Sequence, residues 1–321
     1  MLVVAATLGL IFVGGLVTTK DAGMSVPDWP TSFHYSMFAV PFAKWLGPEA
    51  MQSGVFYEHT HRLFAFAVSV LTGALMVWLL LAEPRLWMKR LGVAAGLLVI
   101  AQAVLGGLRV THSSVTLAMI HGCVAQAFLC VLVVIAAALS QAWAKLANCA
   151  TTPGNIRGVA LTAWLLVGAV YTQLIIGSVM RHLKAGLAIP VFPHSGLNGE
   201  WIPPFWNEGI ALNFAHRVGA LIITLIVAAL VSLVLARAGG ERFLARPAKW
   251  LVALVLAQIY LGSSIILKLQ PPTITTLHVV TGASILATSL LLALRASRLA
   301  SVAREKAASP ELAGTMRRAA I

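Results

Sequence analysis

Four histidines lie just inside apolar stretches of the sequence, where polar side chains are costly. His61 and His216 each precede an arginine, in the segments EHTHR and NFAHR, whereas His121 and His278 lie in MIHGC and TLHVV. His61 and His216 are 155 residues apart and His121 and His278 are 157 apart, so the sequence contains the same pair twice. An imidazole nitrogen is a good axial ligand for haem iron, and two histidines on facing helices can hold one macrocycle between them. The spacing therefore predicts two haem sites, one from each pair.

Each of these histidines is followed, four positions later, by a small residue. The four are Ala65, Ala125, Ala220 and Gly282. Four positions are one turn of helix, and a flat porphyrin beside a helix needs a small side chain there. Small residues also permit close contact between membrane helices, so plain helix packing is an alternative explanation.

A charge distinguishes the two predicted sites. Glu58 precedes His61 by three residues and lies on the same helical face, whereas Asn213 takes this place before His216. A carboxylate at this position could transfer protons or stabilise a developing positive charge, or it could merely cap the positive end of its helix. We predict that Glu58 is catalytic, with a reacting molecule in one site and an electron carrier in the other.

An arginine follows the first histidine of each pair. Arg62 and Arg217 could bind the propionates of the two haems, or they could anchor the ends of their helices at the membrane interface. The five remaining histidines show no such pattern, and we predict that they are solvated residues or parts of a lid. They are His34, His59, His112, His182 and His194.

The elements that must position these residues are membrane helices. The chain has 321 residues, 59% hydrophobic and only 10% charged, with a mean hydropathy of +0.89. Stretches of the length that spans a bilayer, about 20 residues, lie near 1–19, 59–82, 91–108, 115–140, 159–180, 210–236, 250–268 and 274–294. They are continuously apolar rather than alternating, which predicts an all-α integral membrane protein with eight transmembrane helices.

The second half of the chain repeats the first. Residues 14–30, GGLVTTKDAGMSVPDWP, match residues 177–193, GSVMRHLKAGLAIPVFP, at a constant offset of 163. Further on, Gln102 matches Gln258, and Gly106 or Gly107 matches Gly262. A duplicated unit of four helices predicts two bundles related by a pseudo-twofold axis along the membrane normal. The expected domains are residues 1–150 and 151–300, joined by a linker at 141–158 and followed by a basic cytoplasmic tail at 301–321.

The net charge of +13 is concentrated on one side of the predicted spans. By the positive-inside rule, this places both termini in the cytoplasm and the four histidines near the outer face. The distribution indicates a lipid bilayer, not nucleic acid, as the partner. Two long outer segments, 20–58 and 181–209, are expected to form a lid. Cys123, Cys130 and Cys149 fall inside a span or in a cytoplasmic loop, so no disulfide is expected.

Taken together, these motifs resemble the haem A synthase family over residues 11 to 295. The resemblance implies an oxidoreductase that converts the C8 methyl group of haem O, through an alcohol, to the formyl group of haem A for cytochrome oxidase. It implies a haem b on His216 and His278, substrate haem O between His61 and His121, and a required carboxylate at Glu58. Many bacterial members have cysteine pairs in their outer loops, which this chain lacks.

This resemblance further implies a bacterial plasma-membrane location and haem O synthase as the partner that supplies substrate. We expect dioxygen as the oxidant, with electrons passing through haem b from a donor that the sequence does not identify, and the chain could form a homo-oligomer. Two axial histidines leave no open position on iron, so either one dissociates or the oxidant reaches the methyl group another way.

Two other functions would use a similar scaffold. A two-haem b-type cytochrome acting only in electron transfer could use the same four histidines, but it has little use for a carboxylate in one site alone. A transporter with parallel repeats would need polar or broken helices at mid-membrane, whereas the polar residues here cluster near one face.

Overall fold

The computed structural model describes residues 1–146, 156–237 and 241–308. Within them lie the helices α1 (Leu2–Thr19), α2 (Phe42–Trp45), α3 (Pro48–Gln52), α4 (Val55–Ala82), α5 (Leu86–Thr111), α6 (Val115–Ala138), α7 (Gln141–Leu146), α8 (Ile156–His182), α9 (Glu208–Arg237), α10 (Arg242–Leu267) and α11 (Pro272–Ala308). In these same ranges the one strand-like pairing is an isolated bridge between Ser32 and Tyr35.

Eight helices in the described ranges are long and apolar enough to cross a membrane: α1, α4, α5, α6, α8, α9, α10 and α11. This confirms the predicted all-α membrane fold with eight spans. The largest difference in boundaries is at α11, which continues to Ala308 although its predicted span ends near 294. The extra turns are rich in alanine and arginine, which are strong helix formers. Arg295, at the start of this extension, donates to the carbonyl oxygen of Phe243 at 3.0 Å, so it packs against α10.

Each set of four spans closes into a ring of neighbours. In the first half α4 packs against α1 and α5, and α6 completes the ring by contacting α5 and α1. In the second half α9 packs against α8 and α10, and α11 completes the ring by contacting α10 and α8. Because α11 also packs against α1 and α6, the halves share a core around Leu129, Ala283 and Leu290.

The predicted pseudo-twofold axis and the predicted domain boundaries stay predictions. Half of the predicted linker, residues 147–155, lies outside the described residues, as do Cys149 and residues 309–321 of the predicted tail.

Two connecting segments lie at the ends of the spans where the histidines are found. The first connecting segment, residues 20–54, contains α2 and α3 and has a small core in which Val26 and Ala50 pack against Val55 of α4. The second connecting segment, residues 183–207, contains a short 3-10 helix at Ala185–Leu187. Both segments matter for the site because they fold back onto the first turns of α4 and α9.

Candidate functional site: two histidine pairs

The pair in the second half, His216 of α9 and His278 of α11, faces across the bundle. The centroids of the two imidazole rings are 6.2 Å apart, with an angle of 53° between the ring planes. Two imidazoles that share one metal through nitrogen–metal bonds of about 2 Å would have centroids about 6 Å apart. The observed separation therefore suits a single iron between the rings.

The pair in the first half, His61 of α4 and His121 of α6, lies close enough for the charges of the two rings to interact. Nδ1 of each ring is buried and has no hydrogen-bond partner, and the same is true of Nδ1 of His278. Unpartnered buried nitrogens are unusual, so they indicate groups whose partners come with a ligand.

A glycine on the neighbouring helix makes room for each of the four rings. A Cβ atom built on these glycines would lie 2.9 to 3.3 Å from Cε1 of the adjacent histidine, closer than side chains normally pack. The contacts are Gly14 with His61, Gly106 with His121, Gly177 with His216, and Gly262 with His278. In every case Cε1 is the ring atom nearest to the glycine and Nδ1 is the next nearest. The repeat thus pairs Gly262 with Gly106, not with Gly107, which packs against Trp29 instead.

Glutamines flank three of the histidines. Gln102 donates to the carbonyl oxygen of His121 at 3.2 Å, and Nε2 of its repeat partner Gln258 lies 3.2 Å from Nε2 of His278. Gln173 donates to the carbonyl oxygen of His216 at 2.6 Å and also contacts its Nδ1 at 3.1 Å. The position corresponding to Gln173 in the first half is Leu10, so His61 has no equivalent partner.

Glu58 lies in the first turn of α4 and is only 4% exposed. Its Oε1 accepts from Nη2 of Arg62 and its Oε2 accepts from the backbone N–H of Val26, both at 2.9 Å. The helix begins after Gly54, whose φ of +84° suits glycine and turns the first connecting segment into α4. The carboxylate accepts from Arg62 and from Val26 and from none of the N–H groups in the first turn of α4, so Glu58 does not cap this helix through a hydrogen bond. The carboxylate instead ties the helix to the first connecting segment.

The two arginines that follow the histidines hold the connecting segments in place. Arg62 donates to the carbonyl oxygens of Val26, Asp28 and Thr31 at 2.9, 2.7 and 2.9 Å. Arg217 donates to the carbonyl oxygens of Ile189, Val191 and His194 at 2.9, 2.8 and 2.8 Å. Each acceptor of Arg217 lies 163 residues after an acceptor of Arg62, the offset that the sequence repeat shows. The guanidinium groups are therefore occupied by backbone, and binding of propionates by Arg62 and Arg217 stays a prediction.

Asn213 occupies in the second half the place that Glu58 occupies in the first. It is also 4% exposed, accepts from Nε of Arg217 at 3.0 Å, and donates to the carbonyl oxygens of Ala185 and Gly186 at 3.0 and 2.9 Å. A neutral amide thus satisfies the same position through donated hydrogen bonds, which a carboxylate cannot make.

Sequence reasoning missed Arg109, near the end of α5. It follows Gly106, which packs against the ring of His121, by three residues, and its Nη2 lies over Gly23 of the first connecting segment. A charged residue at the end of an otherwise apolar span is a signal that could have identified it.

The other histidines are dispersed. His59 is 1% exposed and its ring packs 4.8 Å from that of Trp45 in the first connecting segment, so it is a lid contact and not solvated. His194 packs on Trp201 within the second connecting segment, His182 ends α8, and His34 and His112 are exposed. Cys123 and Cys130 are free thiols, as predicted.

The residues present fit a haem better than a bare metal ion. Across the described ranges no group of three or more histidine, cysteine, aspartate or glutamate side chains could enclose a metal ion. A haem brings its own four nitrogen ligands and needs from the protein only axial donors, which each histidine pair can supply. The separation of 6.2 Å between the rings of His216 and His278 agrees with that requirement.

Fold and site together define an eight-span helical membrane protein with two buried histidine pairs. The sequence profile of the COX15-CtaA family, described as cytochrome oxidase assembly protein, matches residues 1–291. The chain therefore belongs to the COX15-CtaA family, which confirms the resemblance inferred from its motifs.

Several haem A synthases are similar in sequence. That of Bradyrhizobium sp. (strain ORS 278) is 34% identical over 174 residues, 50% of this chain and 46% of the relative. That of Symbiobacterium thermophilum is 32% identical over 215 residues, 64% of this chain and 67% of the relative. That of Shouchella clausii is 26% identical over 273 residues, 82% of this chain and 85% of the relative. The chain thus spans about half the length of the Bradyrhizobium relative and most of the length of the Shouchella relative.

Proposed function

We propose that this protein is a haem A synthase, an oxidoreductase that converts the C8 methyl group of haem O to the formyl group of haem A. The observation that carries the proposal is the asymmetry between two otherwise similar histidine sites. Both have a ring-to-glycine contact at each histidine and an arginine on three carbonyl groups, but only one contains a buried carboxylate. Family membership and the names of the relatives support the same reaction.

In this proposal the pair His216 and His278 holds a resident haem b, which supplies one-electron transfer when bound. The ring separation of 6.2 Å suits two axial ligands on one iron. The neighbouring side chains Gln173, Gln258 and Asn213 are uncharged and hold the imidazoles and their helices in place. Such a site keeps its ligands fixed, as electron transfer requires.

Substrate haem O lies, in this proposal, between His61 and His121. We propose dioxygen as the oxidant. Each of two hydroxylations would insert one oxygen atom of dioxygen into a C–H bond of the methyl group and reduce the other oxygen atom to water with two electrons from the donor and two protons. The hydrate formed by the second hydroxylation would lose water to give the aldehyde. Glu58 is held by Arg62 and the N–H of Val26, so its carboxylate has a fixed position one turn from His61. From there it can accept a proton or stabilise positive charge that develops on the substrate.

The protein is a multi-pass membrane protein, and we propose a bacterial plasma-membrane location with both termini in the cytoplasm. The histidine sites would then face the outer side. Haem O synthase would supply the substrate, while a separate donor exchanges electrons with the haem b, and assembly into a homo-oligomer is compatible with this arrangement.

The test is to extract and identify haems from cells that express Glu58→Ala, with Asn213→Ala as the matched control in the other half. We expect Glu58→Ala to abolish most haem A while haem O accumulates, and Asn213→Ala to retain haem A. Undiminished haem A in Glu58→Ala would remove this carboxylate from the mechanism. Purified protein with two haems b and neither haem O nor haem A would instead indicate the electron-transfer cytochrome.

A further inference from the structure

Arg109 is a partly buried cation without an ion-pair partner in the described ranges. Its Nε atom is buried and has no hydrogen-bond partner, and its Nη2 makes one long contact, 3.5 Å, with the carbonyl oxygen of Gly23. The ion pairs found in the described ranges join Glu58 to Arg62, Glu83 to Arg85 and Asp21 to Lys184, and none includes Arg109. A guanidinium removed from water without a charged partner is costly, so a position like this one favours an anionic ligand.

Arg109 lies on the side of the first histidine pair. Gly106, three residues before it in α5, packs against the ring of His121. Nη2 of Arg109 lies over Gly23, in the connecting segment whose Val26 donates to Glu58. A second arginine, Arg181, adds positive charge nearby, since both arginines act on His182. Arg181 itself donates from Nη2 to the carbonyl oxygen of Gly15 and to Oγ1 of Thr19, so it is tied to α1.

The other half has a neutral side chain in the corresponding place. The guanidinium of Arg109 lies directly over Gly23 of the first connecting segment, and the amide of Gln270 lies directly over Gly186 of the second. Gly23 and Gly186 are repeat partners at the offset of 163. The first site therefore differs from the second at two matched positions: a carboxylate replaces Asn213, and a guanidinium replaces Gln270.

We infer that Arg109 binds a carboxylate of the haem substrate, one of its two propionates, and so orients the macrocycle between His61 and His121. This inference rests on the proposed function. Arg62 is less suited to this role because three backbone carbonyl groups and Glu58 already occupy it. A guanidinium can donate two parallel hydrogen bonds to one carboxylate, which fixes both the position and the rotation of the ligand.

The test compares haem O with its dimethyl ester, in which both propionates are neutral, by optical titration of the purified full-length protein. We expect the wild-type protein to prefer haem O by about tenfold or more, the factor that one charged hydrogen bond provides. In Arg109→Gln, which copies Gln270, affinity for haem O should fall to that for the ester, while affinity for the ester is unchanged. Arg109→Lys should keep part of the preference because it keeps the charge.

Gln270→Ala is the matched control in the other half and should keep the wild-type preference, and His61→Ala should remove the titrated signal. The melting temperature of each variant shows whether it is folded. If Arg109→Gln does not fold, the affinities of Arg109→Lys for haem O and for the ester still test the inference. If Arg109→Gln lowered the affinities for haem O and for the ester equally, or left the preference for haem O unchanged, the inferred role of Arg109 would be wrong while the proposed function would stand. Failure of the wild-type protein to bind haem O at all would overturn the proposed function, and this inference with it.

Discussion

The two histidine sites share a frame but differ in charge. In each, an arginine on the helix of the first histidine donates to three carbonyl oxygens of a connecting segment, and glycines from neighbouring helices accommodate both rings. The first site adds Glu58 and Arg109, where the second has Asn213 and Gln270. The two halves therefore share the residues that hold the imidazoles and the connecting segments in place. They differ in the residues that can interact with the charge of a ligand.

This comparison gives a physical reason for assigning different roles to the halves. A buried carboxylate and a buried guanidinium both destabilise the fold unless they are paired with a partner or a ligand. At these two positions the second half has neutral amides, which carry no such cost and suit the electron carrier proposed for it. The first half has charged groups there. Glu58 is paired with Arg62, whereas Arg109 has no ion-pair partner in the described ranges, as suits a site that orients a charged substrate.

The largest effect is expected from removing one histidine of either pair. His216→Ala should lose most of the bound haem b, because an axial ligand of that haem is gone, whereas His61→Ala should retain it. Pyridine haemochrome spectra of the purified variants, normalised to protein, measure the difference. Retention of haem b in His216→Ala, or its loss in His61→Ala, would exchange or abolish the proposed roles of the halves.

The arginines on the connecting segments provide the second test. Each arginine reaches its three carbonyl oxygens from two nitrogen atoms, whereas a lysine donates from only one. Arg62→Lys and Arg217→Lys should therefore each lower the free energy of local opening by about 1.5–3 kcal/mol. Hydrogen exchange of residues 26–31 and 189–194 reports this opening. Lys184→Ala is the control, since its ion pair with Asp21 is exposed and should contribute less than about 1 kcal/mol.

The two arginine variants should differ in their effect on haem A. Only Arg62 holds a carboxylate, so Arg62→Lys should also lower the yield of haem A, and Arg217→Lys should lower mainly the retention of haem b. Equal loss of haem A from both variants, with haem b retained, would indicate that the arginines act alike and that the charge at Glu58 is unimportant.

The glycine contacts provide the third test, with a control in the same helix. Gly177→Ala would place a methyl group 3.1 Å from Cε1 of His216, whereas a methyl group at Gly168 of α8 meets no atom within 4 Å. Displacing a packed side chain costs about 1–3 kcal/mol, so Gly177→Ala should bind haem b more weakly.

Gly168→Ala should leave haem b binding unchanged. Gly14 and Gly9 offer the same comparison for His61 in α1, since a methyl group at Gly9 also meets no atom within 4 Å. Identical haem retention in Gly177→Ala and Gly168→Ala would show that the ring does not need this space.

Composition was sufficient to predict the spans, because burial in lipid imposes long apolar runs on any sequence. The repeat was sufficient to single out the four histidines from the nine in the chain. The carbonyl groups that Arg217 contacts lie 163 residues after those that Arg62 contacts, which agrees with the offset of the repeat, although the sequence did not predict carbonyl groups as the partners. The partners of individual polar groups could not be predicted in this way. That Arg62 meets backbone carbonyls, and that His59 is buried against Trp45, depends on how a segment of 35 residues between two spans folds back, which local sequence does not specify.

The smallest effect is expected from acid, and it should separate the two connecting segments. Burial raises the pKa of the Asp28 carboxyl, but hydrogen bonds from Oγ1 of Thr31 and the backbone N–H groups of His34 and Phe33 outweigh it and lower the pKa from 3.8 to about 2. A depressed pKa contributes stability that is complete above pH 3.8 and is lost as the pH falls towards 2. Val191 stands at the matching position of the second segment and cannot titrate.

Between pH 5 and pH 3, protection of the Phe33 and His34 amides against hydrogen exchange should therefore fall by up to roughly tenfold after correction for intrinsic rates. The amides of residues 189–194 in the second connecting segment should change little, because the hydrogen-bonded carboxylate of that segment, Glu200, is held by Asn198 further along the chain. Asp28→Asn should show the reduced protection already at pH 5. If the amides of residues 189–194 loosened in acid together with those of Phe33 and His34, the stability of both regions would depend on something common to both, such as the arginine contacts, and not on the Asp28 carboxylate.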